Sequence, residues 1–201
     1  MDGTVGVGLR TNPEIRAAAL KKLRGRWTNP ILVVLISGLI MGVAGSIRDI
    51  GFVLSLLLGG PFMLGAVNFF VKFNRGEEAL VDDLFAGFQR YTPATVLYLL
   101  MVLFTVLWSL LFIIPGIVAG LSYSMAFYVL RDHPEIQPRE ALRLSSRMMM
   151  GHKMQLFLLF LSFTGWAILA ILTMGIGFLW LGPYVSLAVA GFYEDLVHAS
   201  A

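Results

Sequence analysis

Three stretches of this sequence, 31–71, 91–130 and 154–193, carry almost no charge: the first holds only Arg48 and Asp49, the other two none. A helix crosses hydrocarbon about 30 Å thick in about 20 apolar residues and satisfies its own backbone on the way. Each stretch runs about 40 residues, enough to cross, turn and return. The expected fold is therefore all-α, a six-transmembrane-helix bundle built of three helical hairpins. Composition agrees: 58% of residues are apolar and 13% charged, with a mean hydropathy of +0.81. Soluble domains have about 25% charged residues, so a soluble globule, a disordered chain and a coiled coil are all excluded.

The first hairpin, 31–73, is expected as helices 31–47 and 50–73 turning at Arg48-Asp49. The third, 154–193, is expected to turn near Thr173-Met174-Gly175, where Gly175 and Gly177 supply permissive backbone. In the second, 92–130, a cut at Pro115 leaves a short return helix. A cut near Trp108-Ser109 gives more even lengths and puts Pro115 in the first turns, where proline is tolerated, and is preferred.

Arg48 is the only one of 15 basic residues beyond a hairpin tip; the others lie before, between or after the hairpins. The positive-inside rule then assigns both termini, including the tail 194–201, to the cytoplasm. The same placement removes nucleic acid as a reading of the basic pI.

Each hairpin follows a basic segment with a glycine near its end: LKKLRGRW at 20–27, DLFAGFQRY at 83–91, SRMMMGHK at 146–153. A proline beside glycine follows in each (Pro61, Pro115, Pro183), and each closes on aromatics next to polar groups: NFFVKFN, AFYVLRD, GFYED. This order predicts an internal threefold repeat of a cytoplasmic amphipathic helix plus a hairpin. The three helices are expected at 10–30, 76–91 and 137–152. Thr11 and Glu14 form a capping-box pattern, and Pro13 suits a first turn. In the third helix Leu142, Ser145 or Ser146, and Met149 share one face, while Arg139, Arg143 and Arg147 share another. Such helices suit a membrane interface, with apolar faces in lipid and cations at headgroups. Arg16, Lys21, Lys22, Arg24, Arg26, Arg139, Arg143 and Arg147 are the candidate contacts for anionic lipid, and Trp27, Tyr91 and Tyr193 suit an aromatic belt.

Catalytic chemistry has little to work with. Cysteine is absent, and His133, His152 and His198 show no metal-ligand spacing. No nucleophile elbow or P-loop occurs, and the Gly6, Gly8 pair precedes no strand-helix unit. Glu77-Glu78 and Asp82-Asp83 read as helix-start acids. No catalytic residue, metal or cofactor is expected. The spans lack interior charges of the kind ion-coupled transport uses. Asn68 is read as a packing hydrogen bond, and Gly38, Gly42, Gly116 and Gly120 as sites of close helix approach. Pro61, Pro115 and Pro183, together with Asn68, Tyr123 and Tyr184, are the candidates for a solute site at helix breaks around a shared axis.

The runs NPEIRAAALKKLRGRW (12–27), LFAGFQRY (84–91), SYSMAFYVLRDHPEI with REALRLSSRMMMGHK (122–153), and LTMGIGFLWLGPY ending in FYEDL resemble a bacterial family of integral membrane proteins, domain of unknown function 975. The resemblance covers nearly the whole chain. It implies a multi-pass protein of the bacterial inner membrane, similar in layout to the membrane domains fused to glycerophosphodiester phosphodiesterases. It implies no activity and no catalytic residues.

Three functions stay open: a non-enzymatic accessory or lipid-associated component of a transport or envelope process, a transporter for an apolar or amphipathic solute, and a membrane enzyme. Expected partners are membrane lipids, with a protein partner or a second copy as further candidates. The orientation is directly testable because the chain has no cysteine of its own. Arg48→Cys should react with an impermeant thiol reagent in intact cells; reaction only after permeabilisation would reverse the topology.

Overall fold

The computed structural model describes residues 9–200, so the Gly6, Gly8 pair lies outside the described residues. The helices are α1 (Asn12–Leu23), α2 (Thr28–Ser46), α3 (Gly51–Arg75), a 3₁₀ helix (Val81–Arg90), α4 (Tyr91–Leu111), α5 (Ile113–Tyr123), α6 (Ala126–Asp132), α7 (Pro138–Met148), α8 (Lys153–Leu161), α9 (Thr164–Leu172) and α10 (Phe178–Ser200). There is no strand among the described residues. Five stretches are long and apolar enough to cross a membrane: Thr28–Ser46, Gly51–Arg75, Val81–Leu110, Ile113–Asp132 and Lys153–Leu172. Leu39, Val43, Phe52, Leu103, Leu110 and Ile171 are among the many large apolar side chains exposed on them. Water does not solvate so wide an apolar surface, so this is a multi-pass membrane protein.

The turns follow local chemistry. Between α2 and α3, Asp49 takes a left-handed φ of 68°; between α9 and α10, Met174 (55°) and Gly175 (88°) do so. There Thr173 Oγ1 donates to the Ala170 carbonyl and accepts the Gly177 N–H, at 2.8 and 2.9 Å. The turn of the second hairpin differs from the expected Trp108-Ser109. Helix α4 continues to Leu111, and the chain reverses at Phe112 alone. The reversal is this tight because Gly116 lies on Ser109, where a Cβ would fall 2.0 Å from the serine hydroxyl. Pro115 is still the third residue of α5, where a missing N–H costs nothing.

The basic segments fold differently from the expectation of three α-helices with lipid-facing apolar sides. In α1, Glu14 accepts the Thr11 N–H and hydroxyl, both at 2.7 Å, and these bonds lower its carboxyl pKa. The helix stops at Leu23, before Gly25 at φ 78°, rather than running to residue 30. Its apolar stripe, Ile15, Ala19 and Leu23, is buried, and α1 packs mainly on α10. In α7, Ala141, Leu142 and Ser145 are likewise buried, with α4, α5 and α6 as neighbours. Protein covers these faces instead of lipid.

The second segment is a 3₁₀ helix that starts at Val81, not 76, and runs straight into α4. Its three-residue period puts Leu84 and Gly87, both buried, on one line against α3. The approach is close: a Cβ at Gly65 would fall 1.8 Å from the Leu84 carbonyl, and one at Gly87 would fall 1.9 Å from the Pro61 carbonyl. A Cβ at Gly38, Gly42 or Gly120 meets nothing within 4 Å, so of the expected close-contact glycines only Gly116 serves. The motif marks a helix face small enough for contact, but contact requires a partner, and none faces Gly38 or Gly42 among the described residues.

Packing is dense at the end of the bundle where the charges gather, around Leu23, Phe69, Leu84, Phe127, Leu130 and Phe192, and open toward the hairpin tips. Gly65→Ala and Gly87→Ala should each destabilise the protein by about 2 kcal/mol through overpacking, whereas Gly38→Ala should be neutral or slightly stabilising. Thermal unfolding in detergent checks the contrast.

Candidate functional site

Three helices, α3, α6 and α10, meet at one ionic cluster. Asp132 of α6 accepts from Arg75 Nη2 of α3 (2.8 Å), Tyr193 OH of α10 (3.0 Å) and its neighbour Arg131 Nη1 (2.6 Å). Arg75 also donates through Nε to Glu194, at 2.8 Å. Arg131 Nε reaches Asn68 Oδ1 (3.1 Å), and Asn68 Nδ2 reaches Asp83 (3.4 Å), which pairs with Lys72 at 2.6 Å. Asp83 also accepts the Leu80 N–H, as a helix-start acid should. Arg10 pairs with Asp195 at 2.7 Å, tying in the start of the described chain. Arg90 donates to the carbonyls of Leu130 and Pro134 at the end of α6. Asn68 is therefore a link in this cluster, not an isolated packing contact. Tyr193 is 2% exposed with its hydroxyl on Asp132, which removes it from the expected aromatic belt.

A second polar device operates where helices break. The expected breaks were at prolines, yet α3 runs unbroken through Pro61 and α10 through Pro183. Proline at 61 leaves the Leu57 carbonyl without its helical donor, and Thr95 Oγ1 of α4 supplies one at 3.3 Å. The interruptions lie at Ser124-Met125, between α5 and α6, and at Ser162-Phe163, between α8 and α9. At the first, the fully buried Ser145 of α7 accepts the Met125 N–H (3.2 Å) and donates to the Ser122 carbonyl (2.7 Å). At the second, Arg16 of α1 donates to the Ser162 carbonyl at 3.2 Å and lies 6.0 Å from the Phe163 ring. The three prolines do not share an equivalent position: Pro115 opens α5, whereas Pro61 and Pro183 are internal.

The basic candidates divide accordingly. Arg16 is occupied as described; Lys22 donates to Asn74 (2.5 and 2.8 Å), and Arg26 lies over Phe73 at 4.9 Å. Burial, with Arg10 nearby, lowers the Lys22 pKa. Lys21, Arg24, Arg139 and Arg147 are exposed and have no ion pair among the described residues. Arg143 meets only Glu140, at 3.0 Å.

Two of the surface grooves hold the tyrosine candidates. One, of about 340 Å³, is apolar and lined by Trp27, Trp166, Leu169, Trp180, Leu181 and Tyr184 among others. Tyr184 stands edge-on to Phe163, with centroids 4.9 Å apart. The other, of about 590 Å³, lies between α4, α5 and α7 and is lined by Phe104, Tyr123, Arg139, Leu142, Arg143 and Ser146. It joins Tyr123 to two of the cationic candidates. Sequence reasoning missed Asp132, Phe104, Trp166 and Trp180. The RD pair closing a span was the available signal for Asp132; for the others there was none, because they meet partners distant in the chain. Among the described residues no three acidic, histidine or cysteine side chains come together as a metal site.

The chain matches the family described as protein of unknown function, DUF975, over residues 9–122 and 110–200. It belongs to that family. No curated protein and no solved structure gives a significant match. The expectation raised by the sequence motifs is thereby met at the level of family, and the family description carries no activity.

The polar contacts above are expected to matter more for stability than any surface pair. Asp132→Ala takes one hydrogen-bond partner each from Arg75, Arg131 and Tyr193 and should cost about 2 kcal/mol. Ser145→Ala leaves a buried N–H and carbonyl unpaired and should cost about 2 kcal/mol, while Ser146→Ala should be near neutral. Unfolding temperatures of the three variants provide the comparison.

Proposed function

We propose a six-span, non-enzymatic protein of the bacterial inner membrane, with its charged end in the cytoplasm, acting as an accessory or lipid-associated component of a transport or envelope process. The sixth span is α10, 23 residues long and apolar up to Tyr193. The placement of all basic residues but Arg48 before, between or after the hairpins supports the orientation. The internal repeat has support in burial. The aromatic pairs Phe69-Phe70, Phe127-Tyr128 and Phe192-Tyr193, which occupy matching places in the three repeats, are all buried beside the ionic cluster.

One observation carries the lipid-associated reading: Lys21, Arg24, Arg139 and Arg147 are exposed cations without ion-pair partners among the described residues, at the end of a bundle whose spans face lipid. Cations so placed attract anionic headgroups. The transporter reading has less support. Its site was to be built from freed carbonyls at three prolines, and the one beneath Pro61 is already taken by Thr95.

The reading is tested by purifying the protein from vesicles of mixed phosphatidylglycerol and phosphatidylcholine and measuring the lipid retained. Enrichment of phosphatidylglycerol over its vesicle fraction is expected, with no saturable uptake of lipid-like or peptide solutes after reconstitution. Saturable uptake would replace the accessory reading with transport, and retention in simple proportion to vesicle composition would remove the lipid role.

A further inference from the structure

We propose that the groove between α4, α5 and α7 seats one anionic phospholipid, its phosphate at Arg139, Arg143 and Ser146 and one acyl chain along Phe104 and Tyr123. The proposal rests on the lipid-associated reading and makes it specific: one place, one headgroup charge, one lipid.

The argument begins with spacing. On a helix, residues three and four apart are neighbours, so Arg139, Leu142, Arg143 and Ser146 form one stripe along α7. All four line the groove. The opposite wall is aromatic: Phe104 of α4 and Tyr123 of α5 are half-buried, with ring centroids 6.2 Å apart. At about 590 Å³ the space falls in the range of ligand sites, which combine an apolar lining with a few polar groups that orient the ligand. Here the polar groups are two cations and the Ser146 hydroxyl on α7, with the Tyr123 phenol on the aromatic wall.

Charge decides the occupant. Arg139 has no ion pair or hydrogen bond among the described residues. Arg143 is held only by Glu140, with both side chains largely exposed at 62% and 47%. Such a pair is weak, and a phosphate can displace or share it. A guanidinium pair above an aromatic wall matches a molecule with an anionic head and an apolar body. Tyr123 is the last residue of α5, next to the break that Ser145 of α7 holds closed. That buried contact anchors α7 beside α5.

The apolar groove of α9 and α10 has no equivalent head site. The cation beside it, Arg16, is engaged with the Ser162 carbonyl.

The test uses the full chain in nanodiscs containing phosphatidylglycerol and phosphatidylcholine, with bound lipid counted by native mass spectrometry. Arg139→Gln with Arg143→Gln should lower retention of one phosphatidylglycerol about tenfold, the scale of one to two headgroup cations. Lys21→Gln with Arg24→Gln removes the same charge outside the groove: it should weaken the general phosphatidylglycerol enrichment while changing retention of the single groove lipid less than about twofold. All four residues are exposed, and an unchanged unfolding temperature shows that each variant is folded. A phosphatidylglycerol carrying a photoreactive acyl chain should crosslink at Phe104 or Tyr123, and soluble glycerol phosphate should not displace it. Equal losses in the two double variants would overturn the groove while leaving general lipid association intact. Crosslinks spread evenly over the spans, or displacement by glycerol phosphate, would also overturn it. Absence of any phosphatidylglycerol preference in the unmodified protein would instead sink the broader lipid reading.

Discussion

A peptide group without a hydrogen-bond partner is costly in hydrocarbon, and the internal organisation of this protein follows from that constraint. Long helices meet it alone. Where a helix is interrupted or a proline removes a donor, the missing bonds come from elsewhere in the chain: Ser145 for the α5 to α6 break, Arg16 for the α8 to α9 break, Thr95 for the carbonyl beneath Pro61. Two of these donors sit on short helices, α1 and α7, that contribute no long apolar span of their own. Those helices are structural parts of the bundle. Their position is set by backbone groups in the spans, as much as by their own apolar stripes.

The same helices sit at the charged end, where the ionic cluster around Asp132 draws together the ends of α3, α6 and α10. Ion pairs with partly buried members hold direction better than apolar contacts do, because hydrogen bonds constrain angle and distance. The close fit of the 3₁₀ helix on α3 adds a contact with no side chain between the backbones at Gly65 and Gly87. At the far tips no comparable device operates, and large apolar side chains such as Phe52, Leu110 and Met174 are exposed. A bundle closed at one end and open at the other presents grooves between its spans.

Some of this was legible in the residues. Thr11 and Glu14, Gly175, and the Arg48-Asp49 turn are local devices whose geometry depends on a few neighbours, and each sits where its chemistry implies. The Gly38 and Gly42 spacing was equally visible and misleading, since a small face reports an opportunity for contact and not the contact itself. Amphipathic spacing in α7 identified the buried stripe correctly but not what covers it. Lipid and protein interiors are equally apolar, and periodicity does not distinguish them. Tyr193 followed the same logic: an aromatic beside charge suits a membrane interface, yet its hydroxyl has Asp132 to bond.

By itself the sequence determined that the chain is helical, that it lives in a membrane, where it turns between α2 and α3 and between α9 and α10, and which family it belongs to, because each depends on length, polarity or short motifs. Tertiary structure decided the rest. That Asp132, Ser145 and Arg16 hold other helices, and that Arg139 and Arg143 stand opposite Phe104 and Tyr123, depends on contacts between residues tens of positions apart. In a chain whose spans look alike to any measure of hydrophobicity, only the few polar groups specify which helix meets which, and their pairing appears only when the helices are assembled.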